Sequence, residues 1–291
     1  MPTAPKCAQW LTVAVVALSV LLVGCSRTTP GGSAVAPTPP IEPTAATAPQ
    51  AGGPGEALTA DSPVPVTAAA QAIARAAEGG RYAFVLFHRS GGPSADPMQA
   101  PFSQAKADLQ SKAEFTTVDV DKDADAQLID KYGIDRAPLP VILALAPNGA
   151  VTKAFTKPAD AAALRKAFVS ETTARMLKAL QDGKLVALCV QGDNTQHNQE
   201  SMDAAREFAA DESLEGQAEV MRLDPGSRGE APLLEQCNLS PTLREASIVL
   251  LVPPNTLVAT VPGATTKAKL LSALQQGLAA CGSGCGPSGC G

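Results

Sequence analysis

The apolar positions divide the chain into stretches of three kinds. Residues 11–23 form one almost wholly apolar run, shorter than a full membrane span. From residue 26 to about residue 66 the apolar positions follow no period, among Pro, Ala, Thr and Gly with almost no charge. From Thr67 a folding pattern begins. Ala68–Glu78 has helical spacing, and residues 82–87 read as a short strand after Gly79-Gly80. Residues 102–111 predict a helix, 115–120 a strand, and 126–132 a short helix stopped at Gly133. Residues 140–145 predict a strand, Pro147-Asn148-Gly149 a turn, Val151–Phe155 a second hairpin strand, and residues 160–169 a closing helix. Strands alternating with helices and ending in a hairpin and helix predict an α/β sandwich with a mixed sheet.

The order then repeats. Residues 128–135 (LIDKYGID) have a counterpart in residues 233–240 (LLEQCNLS), and Gly80-Arg81 matches Gly183-Lys184. Residues 141–151 (VILALAPNGAV) match residues 248–258 (IVLLVPPNTLV). Residues 173–181 predict a helix leading into the second unit, and residues 265–280 its last helix. A period of about a hundred residues is too long for a solenoid, so the halves read as tandem domains, residues 67–172 and 173–280.

The first stretch reads as a secretory leader, with Lys6 supplying positive charge ahead of the apolar run. It ends Leu22-Val23-Gly24-Cys25, which resembles the bacterial lipobox. That resemblance implies a signal peptide over residues 1–24, cleavage before Cys25, and acylation of Cys25 by diacylglycerol and a further palmitate-type chain. Several acyl chains anchor stably where one does not. The implied partner of Cys25 is a lipid bilayer and the implied place is the bacterial cell envelope. Ser26 in place of an Asp implies the periplasmic side of the outer membrane if the cell is Gram-negative. Residues 25–66 read as a Pro/Ala-rich linker, which cannot bury enough surface to fold. Extended at about 3.1 Å per residue, about forty residues reach on the order of 120 Å.

Composition narrows the functional classes. The chain has 291 residues and a net charge of −5, with 3% aromatics and its single tryptophan, Trp10, in the leader. Nucleic-acid binding needs a basic field and stacking aromatics, and neither is present.

Several short motifs agree in order and spacing with one family. A strand over residues 84–87 leads to Met98-Gln99-Ala100-Pro101, similar to the start of the first long helix in thioredoxins. Val118-Asp119-Val120-Asp121 looks like that family's second strand, and Lys131-Tyr132-Gly133-Ile134 precedes a Pro-initiated strand. Both halves thus resemble the thioredoxin fold, the second mainly through the internal repeat. The resemblance implies a cis-proline at Pro140 and a groove beside it that holds an extended peptide. It also implies a Cys-x-x-Cys at the start of the first long helix, where the helix lowers a thiol pKa. Here the chain departs from the family. Anchoring on Met98 puts Pro93 and Asp96 at the two positions, and matching Gly-Pro puts Gly91 and Ser94 there. Residues 191–198 of the second half also lack sulfur, and Ser247 stands for the strand-initial proline. The expectation is two thioredoxin-like domains without dithiol chemistry, serving as a binding or scaffolding module for a cell-envelope protein or peptide.

Other residues invite chemistry and have plainer readings. Asp96-Pro97 is explained as a helix cap followed by a first-turn proline, and His88 as a loop histidine without a nucleophile to serve. Asp119, Asp121, Asp123 and Asp125 alternate, but Ala126 stands where a calcium loop needs Gly, and Tyr132 where it needs a bidentate Glu. Cys189 and Cys237 are expected to be buried, with their pairing left open.

The C-terminal segment, residues 281–291, is different: Cys281, Cys285 and Cys290 sit among glycines. The spacing is no familiar zinc pattern, and no His is near. Three thiolates would suit Cu(I), or Zn(II) with a further ligand. Metal capture, redox or mixed-disulfide chemistry, and an inert or cross-linked tail all stay open.

Overall fold

The computed structural model describes residues 67–90 and 96–282, which belong to one compact unit. The first domain runs α1 (Ala68–Glu78), β1 (Tyr82–His88), α2 (Asp96–Leu109), β2 (Ala113–Asp119), α3 (Ala126–Lys131), β3 (Val141–Leu145), β4 (Val151–Phe155) and α4 (Ala161–Arg165). The second runs α5 (Glu171–Gln181), β5 (Leu185–Val190), α6 (Asn198–Ala209), β6 (Ala218–Leu223), α7 (Ala231–Gln236), β7 (Ser247–Val252), β8 (Thr256–Pro262) and α8 (Lys267–Gly282).

Each domain holds a four-stranded sheet, ordered β2-β1-β3-β4 and β6-β5-β7-β8. In each, the first two strands are parallel and the last two run antiparallel. Helices cover both faces, so the central strands are buried at nearly every position and read as almost unbroken apolar runs. Phe84, Leu86 and Ile142 pack under α2 and α4 with Met98, Phe102 and Leu164, while Val85, Phe87 and Val141 pack on the face of α1 and α3. The second sheet does the same with Phe208, Leu270 and Leu274 on one face and Met176, Leu180 and Leu234 on the other. This strand order and its two helical layers make the chain a pair of tandem thioredoxin-like domains.

The repeat extends to single residues. Gly80 and Gly183 both take positive φ (62° and 82°) in the turn before the first strand. Gly133 has φ 60° at the end of α3, and its counterpart Asn238 has φ 55° at the end of α7. Asn tolerates that left-handed conformation better than most residues, so the second domain manages without Gly there. Arg81 pairs with Glu114 at 2.5 Å, and Lys184 reaches Glu219 at 3.9 Å, each tying a first strand to its parallel neighbour.

The strand register corrects one sequence match. Val141 stands opposite Phe87 and Ser247 opposite Val190, while Val151 and Leu257 stand opposite Leu145 and Leu251. The counterpart of Val141 is therefore Ser247 rather than Ile248, that of Val151 is Leu257, and that of Pro140 is Ala246 rather than Ser247. A one-residue slip exchanges the faces of a strand: Val141 packs on the α1 side of its sheet, but Ile248 packs with Phe208 on the other side. Among the element boundaries that differ, two shift by more than two residues. Helix α2 starts at Asp96, with Pro97 in its first turn and Pro101 inside it, rather than at residue 102. Helix α4 stops at Arg165 because the chain there turns across to the second domain.

That crossing has no slack. The Tyr82 hydroxyl donates to the Val169 carbonyl (3.2 Å) and accepts from the Val169 N–H (2.9 Å), with its ring edge-on to Phe168 at 4.6 Å. Ser170 caps α5 and donates to the buried Glu230 at 2.7 Å. The Gln181 amide donates to the Val151 carbonyl (2.7 Å) and accepts from its N–H (2.9 Å), closing part of the exposed edge of β4. Ala146, Ala150 and Ala174 form a small apolar contact between β3–β4 and α5. At the other end of the pair, α8 lies so close to β8 that a Cβ on Gly277 would sit 2.2 Å from the Val258 carbonyl oxygen.

Candidate functional site

The C-terminal ends of β1 and β2 gather the polar residues of the first domain. Asp119 is buried and accepts from the Ser90 hydroxyl, from the Ser90 N–H at 3.2 Å and from the Asp121 N–H at 3.3 Å. Lys122 approaches it at 3.5 Å, and Arg89 pairs with Asp121 at 3.1 Å. The Ser90 hydroxyl, ahead of the backbone donors, brings the Asp119 pKa down to about 2 against a smaller opposing effect of burial. Two of the four alternating aspartates are thus spent on fixing the strand ends. Among the described residues no group of three His, Cys, Asp or Glu could hold a metal ion. His88 lies beside Asp119 in the strand register, with a buried Nδ1 that has no hydrogen-bond partner. The loop containing Gly91, Pro93 and Ser94 lies outside the described residues.

Beside these strand ends runs the segment entering β3. The Leu139–Pro140 peptide is cis, and both residues are half-buried. Proline has no N–H to donate, and no backbone hydrogen bond engages Leu139 among the described residues. An extended chain could pair with it there.

The second domain treats the same edge differently. Gln196 donates its N–H to the Arg244 carbonyl at 2.9 Å and accepts from the Ala246 N–H at 2.9 Å, a parallel bridge. The loop doing this is braced internally, since Thr195 Oγ1 accepts from the Gly192 N–H (2.9 Å) and the Asn198 amide donates to the Gly192 carbonyl (2.9 Å). His197 takes φ 63° at the start of α6. Half of this bridge depends on the Ala246 N–H, which Pro140 lacks in the first domain. Sequence reasoning missed the bridge; its signal was alanine at the counterpart of Pro140, hidden by the slipped match.

No protein-family model matches the chain, and no curated protein does. Among solved structures, the first two thioredoxin domains of Eps1p from Saccharomyces cerevisiae share 11% identity over 68% of this chain and 94% of theirs, with a TM-score of 0.27. Desulfothioredoxin from Desulfovibrio vulgaris Hildenborough, in its reduced form, shares 20% over 32% of this chain and 85% of its own (TM-score 0.26). The germline-specific thioredoxin Deadhead of Drosophila melanogaster shares 20% over 28% and 73% (TM-score 0.25). At these scores the likeness adds nothing to the strand order, which carries the fold.

Cys189 and Cys237 are buried and free, on opposite faces of the second sheet. Cys189 packs with Phe208 and Leu270, and Cys237 with Leu233 and Val249, so a β-sheet separates the two sulfurs. Burial pushes their thiols up to about 12 and about 11. Neither supplies a thiolate near neutral pH, and disulfide exchange needs one. Cys25, Cys285 and Cys290 lie outside the described residues, while the backbone of Cys281 forms part of the last turn of α8. Among the described residues no helix is long and apolar enough to cross a membrane.

Proposed function

We propose that the mature chain is a lipoprotein held to the cell envelope through acylated Cys25, and that its thioredoxin-like pair is a binding module without a catalytic dithiol. The first domain takes an extended segment of a cell-envelope protein along the Leu139–Pro140 edge. The observation that carries this reading is the contrast between the two edges. The edge of the second domain closes onto Gln196 partly through the Ala246 N–H, and Pro140, which stands at the place of Ala246, has no N–H to offer. Backbone pairing supplies affinity in such strand-addition sites, and neighbouring side-chain pockets supply choice. An overlapping array of envelope-protein peptides, probed with the full chain, tests it. Discrete peptides should bind, and Leu139→Pro, which removes the Leu139 N–H, should abolish binding without changing the thermal midpoint. Binding that survives the substitution would place the peptide elsewhere.

A second reading concerns Cys281, Cys285 and Cys290. With Cys189 and Cys237 buried and hard to ionise, accessible thiol chemistry in the mature chain falls to these three and to nothing described in the body. Together they suit capture of Cu(I) or Zn(II), soft-ion affinity growing as several thiolates close on one centre. Elemental analysis of the reduced protein should find about one such ion per chain. Serine at all three positions should remove it, and an unchanged metal content would exclude the tail as the site.

A further inference from the structure

The edge of the second domain is occupied by the domain's own chain, and main-chain groups make the contact. Gln196 meets Glu245 as an isolated parallel bridge, giving its N–H to the Arg244 carbonyl and taking that of Ala246, both at 2.9 Å. Gln196 and the next residue, His197, are both exposed. What Gln196 supplies is an N–H and a carbonyl from one residue, and every residue except proline carries both.

Each side of the bridge is held by other contacts. On the loop side the stem closes separately, where the Gly192 N–H donates to Thr195 Oγ1 and the Asn198 amide to the Gly192 carbonyl. On the strand side the Ala246 carbonyl accepts from the Gly263 N–H at 2.7 Å, and the buried Ser201 hydroxyl donates to the Gly263 carbonyl at 3.0 Å. Opening the bridge therefore leaves a formed edge, with one acceptor at Arg244 and one donor at Ala246. Closing it requires His197 to take φ 63°, a left-handed turn that glycine adopts more readily.

We propose that residues 192–197 are a displaceable strap, a built-in stand-in for ligand on a second polypeptide-binding edge at Arg244–Ala246. An extended segment of another polypeptide takes the place of Gln196, its N–H donating to the Arg244 carbonyl and its carbonyl accepting from the Ala246 N–H. Such pairing is how a strand-addition site gains affinity. The ligand class is read from the strap itself, which is a segment already seated there. While the strap is closed the edge is latent, because apparent affinity falls with the fraction of molecules that are open. This edge and the Leu139–Pro140 edge lie in different domains, so either site can fail without the other.

The test uses the full chain carrying Leu139→Pro, which silences the first edge, and reads peptide-array binding together with amide hydrogen exchange. With the strap intact, the array should stay blank and the Ala246 amide should exchange slowly. Adding Gln196→Pro, which removes the N–H given to Arg244, should speed Ala246 exchange by roughly tenfold or more and bring discrete peptides onto the array. Adding His197→Gly instead should slow that exchange and leave the array blank. Should Gln196→Pro alter the circular dichroism, two glycines inserted between Thr195 and Gln196 take its place, lengthening the strap with the same expected effect. Unchanged exchange overturns the proposal, because the bridge then does not hold the edge. Faster exchange with no peptide bound overturns it too, as do peptides that bind equally with and without Gln196→Pro. Peptides captured only when the strap is opened support it, even if the wild-type chain captures none and the first edge is thereby lost as a site.

Discussion

Asp119 shows how much one side chain can hold in place. It takes two hydrogen bonds from Ser90 and one from Asp121, fixing the chain as it leaves β1 against the end of β2. An unfolded aspartate titrates near about 3.9, whereas this one titrates at about 2. A depressed folded-state pKa stabilises above the unfolded value, and that stabilisation is lost as pH falls through the folded one. The contribution is therefore complete above about pH 4 and gone below about 2. Ser90→Ala should raise the Asp119 pKa towards its ordinary value, read by NMR titration of the carboxyl carbon, and move acid unfolding to higher pH. A carboxyl resonance that titrates as in the wild type would show that Ser90 is not the cause. The alternation of Asp119, Asp121, Asp123 and Asp125 was plain in the sequence, but a clasp on Ser90 was not, because Ser90 lies far off along the chain. Cys189 and Cys237 were legible as buried from their apolar neighbours. That they face opposite ways could be read only once the strand and helix carrying them had been placed.

At the scale of elements, legibility followed patterning. Ala68–Glu78 and Val151–Phe155 are found as their periods predict, because a helix with one buried stripe and a half-exposed strand each leave a distinctive pattern. The central strands do not: with both faces covered, residues 141–145 and 247–252 are apolar at nearly every position. Such a run shows that a strand exists without fixing its register. The repeat between the domains was therefore visible while its alignment slipped by a residue, and Ala246 went unrecognised as the counterpart of Pro140. The early start of α2 was obscured by Pro101, which reads as a helix breaker although this helix carries it inside. The site was less legible than the fold. Pro140 could be named from the resemblance, but the bridge made by Gln196 depends on backbone groups that no side-chain pattern reports.

At the scale of the molecule, the domains are joined by hydrogen bonds on both sides of a short crossing rather than by a free linker, so the pair presents its surfaces in one fixed relation. The proposed attachment of that body to the cell is through Cys25. Growth with a labelled fatty acid should mark the wild type and leave Cys25→Ala unmarked and unprocessed. Equal labelling of both would remove the anchor and, with it, the cell-envelope partner. The two halves carry the same architecture yet differ at the threshold of the third strand of each sheet, one proline against one alanine. Proline and alanine codons differ only in their first base. In the currency of inheritance, the presence and the absence of that N–H lie a single point mutation apart, so two domains of one architecture can differ at this edge by one base.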